Sequence, residues 1–135
     1  DSLWVEVVSE DGRVWEREAL SVVARTTEGD IGILSRHEPI LGVLVPCAAE
    51  VLTTGGERKI VAVDGGFLSV NDNKVSILSQ YATLAETISL HEAELEMASA
   101  AKALEAGNVD EETKRHYNRA AAQFKAAQKA SSGLR

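Results

Sequence analysis

The chain holds 135 residues, 44% hydrophobic and 26% charged, which is the size of one domain, or one domain with a small appendage, and the composition of a folded chain. A large multi-domain enzyme and wholesale disorder are excluded, and no apolar run approaches the roughly 20 residues that a membrane-spanning helix needs. Fourteen basic and twenty-one acidic side chains leave a net charge of −7, which argues against a general electrostatic grip on nucleic acid or anionic lipid.

From Asp1 onward no basic, apolar leader is legible. Leu3, Val5 and Val7 alternate with Trp4, Glu6 and Val8, the period of a half-buried strand. The single cysteine, Cys47, has no internal partner and sits between Pro46 and Ala48, which predicts a small buried hydrophobe in a reducing compartment. Ile60 to Val63, Phe67 to Val70 and Val75 to Leu78 are further strand runs. Asp11-Gly12, Thr54-Gly55-Gly56-Glu57, Asp64-Gly65-Gly66 and Asn71-Asp72-Asn73 are expected to be the turns, since Gly, Asn and Asp tolerate positive φ. This rhythm predicts an N-terminal all-β sandwich or barrel over residues 1–84.

After Tyr81 alanine becomes abundant and the period turns helical, which predicts an antiparallel helical hairpin over residues 85–135. Ser89 with Glu92 forms a capping box, with Ile88 placed to staple against Ala93, so the first helix starts near Leu90. Gly107-Asn108 ends it, and Asp110 caps the second helix. Leu90, Ala93, Met97, Ala101 and Leu104 are expected to face Tyr117, Ala120, Ala121, Phe124 and Ala127. Seams this rich in alanine bury little area, so the hairpin must lean on the sandwich or on another protein.

Charge is divided along the same lines. Residues 1–81 carry seven basic and thirteen acidic side chains and residues 82–110 carry one and six, whereas residues 111–135 carry six and two. The second helix is therefore basic, through Lys114, Arg115, Arg119, Lys125 and Lys129, and is expected to form ion pairs with Glu92, Glu94, Glu96 and Glu105 of the first.

No catalytic constellation is legible. His37, His91 and His116 lack the carboxylate and nucleophile neighbours of a triad, and His91 with Glu94 or Glu112 with His116 gives two ligands where a metal needs more. Asp64-Gly65-Gly66 has no basic residue or helix start behind it, as a phosphate loop would. No cofactor is expected, and aromatic residues, at 4%, are too few for a nucleic-acid platform. These features predict a non-catalytic protein that couples or regulates others.

Two stretches resemble a known family. Gly29-Asp30-Ile31-Gly32-Ile33-Leu34-Ser35-Arg36-His37-Glu38-Pro39-Ile40 is similar to the loop of F-type ATP synthase epsilon subunits, and Ala62-Val63-Asp64-Gly65-Gly66-Phe67-Leu68-Ser69-Val70 resembles their Gly-Gly-Phe-Leu strand entry. The resemblance covers the whole chain and implies an N-terminal two-sheet β-sandwich of about ten strands that grips the gamma subunit and sits on the c-subunit ring. It implies a central-stalk subunit, itself not an enzyme, peripheral on the cytoplasmic face of a bacterial membrane, that couples proton flow to ATP synthesis.

By the same resemblance Asp30 meets the c ring and His37 lies near gamma. Lys114, Arg115, Arg119, Lys125 and Lys129 would meet the beta subunit when the hairpin extends into the alpha and beta head and obstructs hydrolysis. Several family members bind ATP through Ile/Leu-Asp-x-x-Arg-Ala. The aligned residues here are Ile88-Ser89-Leu90-His91-Glu92-Ala93, so Ser89 and Glu92 imply weak or absent ATP binding. The rival expectation is a free-standing β-sandwich ligand-binding module with a helical dimerisation arm.

Overall fold

The computed structural model describes residues 1–132, so the last three residues of the predicted hairpin lie outside the described residues. Seven strands come first: β1 (Leu3–Ser9), β2 (Gly12–Thr26), β3 (Gly29–Leu34), β4 (Ile40–Thr53), β5 (Arg58–Asn71), β6 (Lys74–Leu78) and β7 (Ala82–Leu84). A single 3-10 turn at Ala85–Thr87 leads into α1 (Leu90–Glu105) and α2 (Glu111–Ser132). The strands run in the order β1-β6-β5-β4-β2-β3, with β7 on β5, and β1 also pairs β2. That extra pairing closes the hydrogen-bonded ring around the core.

The expectation of about ten strands counts three of them twice. β2, β4 and β5 are 15, 14 and 14 residues long, longer than ordinary strands, and β4 and β5 cross from one layer of the sandwich to the other. The burial pattern records the crossing. On β5 the buried inward residues are Val61 and Val63, then Leu68 and Val70; on β4 they are Leu44, then Cys47, Ala49 and Val51. The inward phase therefore switches from odd to even numbers on β5, and from even to odd on β4.

Both switches fall at one level, because Leu44 pairs Gly66 and Pro46 pairs Asp64. The change of face needs backbone that ordinary residues avoid, and Gly65 and Gly66 supply it with φ of 119° and 107°. Asp64-Gly65-Gly66 is thus a corner inside one continuous strand, and the expected hairpin turn there is corrected. The other three turns form where the sequence places them. Between β5 and β6, Asp72 and Asn73 both take positive φ, 49° and 63°, as a tight hairpin requires.

Leu3, Val5, Val7, Val22, Ile33, Leu68, Val75 and Ile77 fill the sandwich with almost no exposure. Ile60, Ala62 and Ala48 are buried on the opposite, outer side by α2. This double burial explains why Ile60 to Val63 reads as an unbroken apolar run.

α1 begins as its cap predicts, with the Glu92 backbone N–H donating to Ser89 Oγ at 3.3 Å. It ends at Gly107, which has φ 93° and donates to the Leu104 carbonyl. α2 starts at Asp110, whose carboxylate accepts from the Thr113 N–H at 2.7 Å. Ala93 and Ala100 of α1 are buried, with Met97, Ala101 and Leu104 half-buried, whereas Leu90 is exposed. Ile88 packs with the cluster of Ala48, Ile60, Ala62 and Ala85 under α2.

Candidate functional site

α2 has two working faces, one more than its helical stripe suggests. Ala120 and Ala127 belong to the predicted stripe and are buried. Ala122 and Ala126, one turn apart on another side, bury against Ala48, Ile60, Ala62 and Ala85 of the sandwich. Methyl groups on both partners let the helix lie close to the strands, at roughly 25 cal/mol per Å² of apolar area removed from water.

A polar cluster fixes this docking. Asp64, on the same outer face as Ile60 and Ala62, keeps only 5% of its side chain exposed and accepts from Arg119 Nε at 2.8 Å. The other carboxylate oxygen accepts from Ser79 Oγ at 2.9 Å and from the Tyr81 N–H at 3.2 Å. The Arg119 guanidinium lies 5.2 Å from the centre of the Tyr81 ring, and Gln123 is hydrogen-bonded to the Tyr81 hydroxyl. At the far end of α2, Arg58 Nη1 donates to the Lys129 carbonyl at 3.1 Å and Lys129 Nζ to the Ala48 carbonyl at 3.3 Å. The hairpin is thus held down near the middle of its basic helix and again toward the C-terminal end.

The expected ladder of ion pairs between the helices is corrected by this arrangement. Among the described residues the ion pair that joins α1 to α2 is Glu96 with His116, while Arg119 turns to the sandwich. Lys114 and Arg115 are exposed. Ser89 and Glu92 line a cleft of about 460 Å³ with Glu96, His116 and Arg119. Its two carboxylates, and an arginine already engaged by Asp64, make a poor setting for phosphates.

Asp30 is exposed on β3 and pairs across strands with Arg25, Nε to Oδ1 3.6 Å. His37 is half-buried in the β3–β4 loop; its Nδ1–H donates to the Glu38 carbonyl at 2.8 Å. Cys47 is buried, and desolvation holds its thiol above the ordinary range, so it carries no charge near neutrality. No group of three or more His, Cys, Asp or Glu among the described residues is arranged to hold a metal ion. No helix among them is long and apolar enough to cross a membrane.

Sequence reasoning passed over one surface. Val43 pairs Phe67, and Phe67 pairs Leu78, so these three side chains form a row across β4, β5 and β6. They are 48%, 49% and 42% exposed, and Leu41, beside them on the same face, is 73% exposed. The alternating pattern of each strand carried this signal, because the outward positions are apolar where a solvated face would be polar.

The described residues form a closed two-layer sandwich with a latched helical arm and an open apolar face. The chain matches the model of the ATP synthase delta/epsilon chain β-sandwich domain over residues 2–85. It is 50% identical over 103 residues to the ATP synthase epsilon chain of Cutibacterium acnes, covering 76% of this chain and 70% of that one. With the epsilon chain of Streptomyces avermitilis it shares 48% identity over 98 residues, 73% of this chain and 79% of the relative.

The fold also resembles a chain in the Euglena gracilis mitochondrial ATP synthase structure of OSCP, F1 and c-ring. There the TM-score is 0.74 at 24% identity, over 96% of this chain and 81% of the other. The chain belongs to the epsilon-chain family of ATP synthase.

Proposed function

We propose that the protein is a non-catalytic rotor subunit of the central stalk, coupling proton flow to ATP synthesis from the cytoplasmic face of a bacterial membrane. The observation that carries the reading is the open row of Val43, Phe67 and Leu78 with Leu41, on a chain whose family is that of epsilon subunits. An apolar patch of this kind suits a permanent partner, and the gamma subunit is the partner proposed. His37 is in the loop that leads into β4, close in sequence to Leu41. Asp30, at the start of β3, is proposed to face the c ring, where an exposed carboxylate suits basic loops.

The sandwich, residues 1–84, carries these contacts, and the hairpin, residues 85–135, regulates. In the described state α2 is docked and Arg119 is occupied. Release would free Arg119 to join Lys114, Arg115, Lys125 and Lys129 in meeting an acidic surface on the alpha and beta head, where the hairpin would obstruct hydrolysis. Arg119 cannot stay on Asp64 of the sandwich while its helix extends to the head, so docking and inhibition compete.

Deleting the residues after Ala85 tests this reading. The truncated chain is expected to stay bound to gamma and to raise ATP hydrolysis in membranes. Unchanged hydrolysis, with the truncated chain demonstrably bound, would reject the inhibitory role. A free-standing dimeric module, the rival reading, would ignore gamma altogether.

A further inference from the structure

Beside the docked helix lies a second cleft, of about 700 Å³, between the C-terminal half of α2 and strands β2 to β4. That volume is in the range of small-molecule sites. Its apolar surface comes from Val23, Ala24, Ala48 and Leu90. Its charge comes from Arg25, Lys125 and Lys129 against a single carboxylate, Asp30. A local excess of two positive charges is unusual for a chain of net charge −7.

Of the three cations only Arg25 is spent on a carboxylate among the described residues. Asp30 pairs with Arg25, and Lys129 reaches the neutral Ala48 carbonyl. Among the described residues Lys125 has no ion-pair partner. Lys125 and Lys129 are one helical turn apart, the spacing at which like charges repel, and an anion between them would relieve that repulsion. Cys47, also lining the cleft, is a neutral thiol that adds no opposing charge.

We propose that this cleft binds a small organic anion, its acid group between Lys125 and Lys129 and its apolar body on Val23, Ala48 and Leu90. The site is distinct from the cleft at Ser89 and Glu92, and it does not depend on the stalk reading.

Octanoate, with 1-octanol as the neutral probe of equal length, tests the proposal by amide NMR titration of the full chain. Octanoate is expected to shift the amides of Val23, Arg25, Lys125, Gln128 and Lys129 saturably, with octanol binding about tenfold more weakly. Lys125→Gln, at an exposed position, is expected to weaken octanoate about tenfold and leave octanol unchanged. Equal binding of the two probes, indifference to Lys125→Gln, or shifts centred on Val43, Phe67 and Leu78 would each overturn the proposal.

Discussion

Gly66→Ala is expected to lower the stability of the sandwich by about 4 kcal/mol, at the far end of what one substitution does. A Cβ at this position would overlap the Leu78 carbonyl oxygen, far inside the sum of their van der Waals radii, with Ser79 Cα at 2.9 Å. These are backbone atoms of neighbouring chain, so no side chain can swing aside to relieve the clash. The φ of 107° adds strain that an L side chain cannot shed.

Gly65→Ala supplies the control, with a similar φ of 119° but only an ordinary contact, 3.5 Å from the Leu44 carbonyl. Its cost is expected to be the strain alone, about 1–3 kcal/mol. Urea unfolding of the two variants checks the contrast. Equal losses would show that conformation, and not the closeness of the β6 end, dictates glycine at this corner.

Arg119→Ala is expected to weaken hairpin docking by about 2–3 kcal/mol. The change strands Asp64, which keeps only 5% of its side chain exposed and would retain just the Ser79 hydroxyl and the Tyr81 N–H. The figure is set at the lower end because the Arg119 side chain is itself 36% exposed and water screens part of the attraction.

Asp64→Asn is expected to cost less, about 1 kcal/mol, since the amide oxygen still accepts from Ser79 and Tyr81 and the arginine can turn to solvent. Hydrogen exchange reads both changes: protection of α2 amides falls while that of paired β4 and β5 amides holds. Unchanged α2 protection in Arg119→Ala would remove the latch from the account. The two variants also separate structure from function. Asp64→Asn frees the hairpin with its basic residues intact and is expected to deepen inhibition of hydrolysis, whereas Arg119→Ala frees a hairpin that has lost one inhibitory charge.

Much of this architecture is legible in the sequence, because local signals and tertiary structure agree there. The alternation of Leu3, Val5 and Val7, the Asn71-Asp72-Asn73 turn, the Ser89 cap and the Gly107 stop each report a local preference that packing does not override. Asp64-Gly65-Gly66 misleads because positive φ serves a hairpin turn and a mid-strand corner equally well. Only the later pairing of β4 with both halves of β5 distinguishes them.

The latch is illegible for a related reason. Asp64 and Arg119 stand 55 residues apart, and nothing in the helical period of α2 marks Ala122 and Ala126 as a second buried face. Alanine is compatible with burial and exposure alike, so a stripe drawn from the larger residues Tyr117 and Phe124 found the face toward α1 and missed the face toward the sandwich. The row of Val43, Phe67 and Leu78 was visible one strand at a time. Its continuity depends on register, which the sequence does not state.

The central claim is that this chain grips gamma through the open apolar row, and titration of gamma against the full chain tests it most directly. The account predicts a stable complex for the unaltered chain and an affinity lower by about a hundredfold for Phe67→Asp. Leu95→Asp, on the exposed outer side of α1, is expected to bind as the unaltered chain does. Phe67→Asp binding gamma with undiminished affinity while remaining folded, or no complex with the unaltered chain, would contradict it.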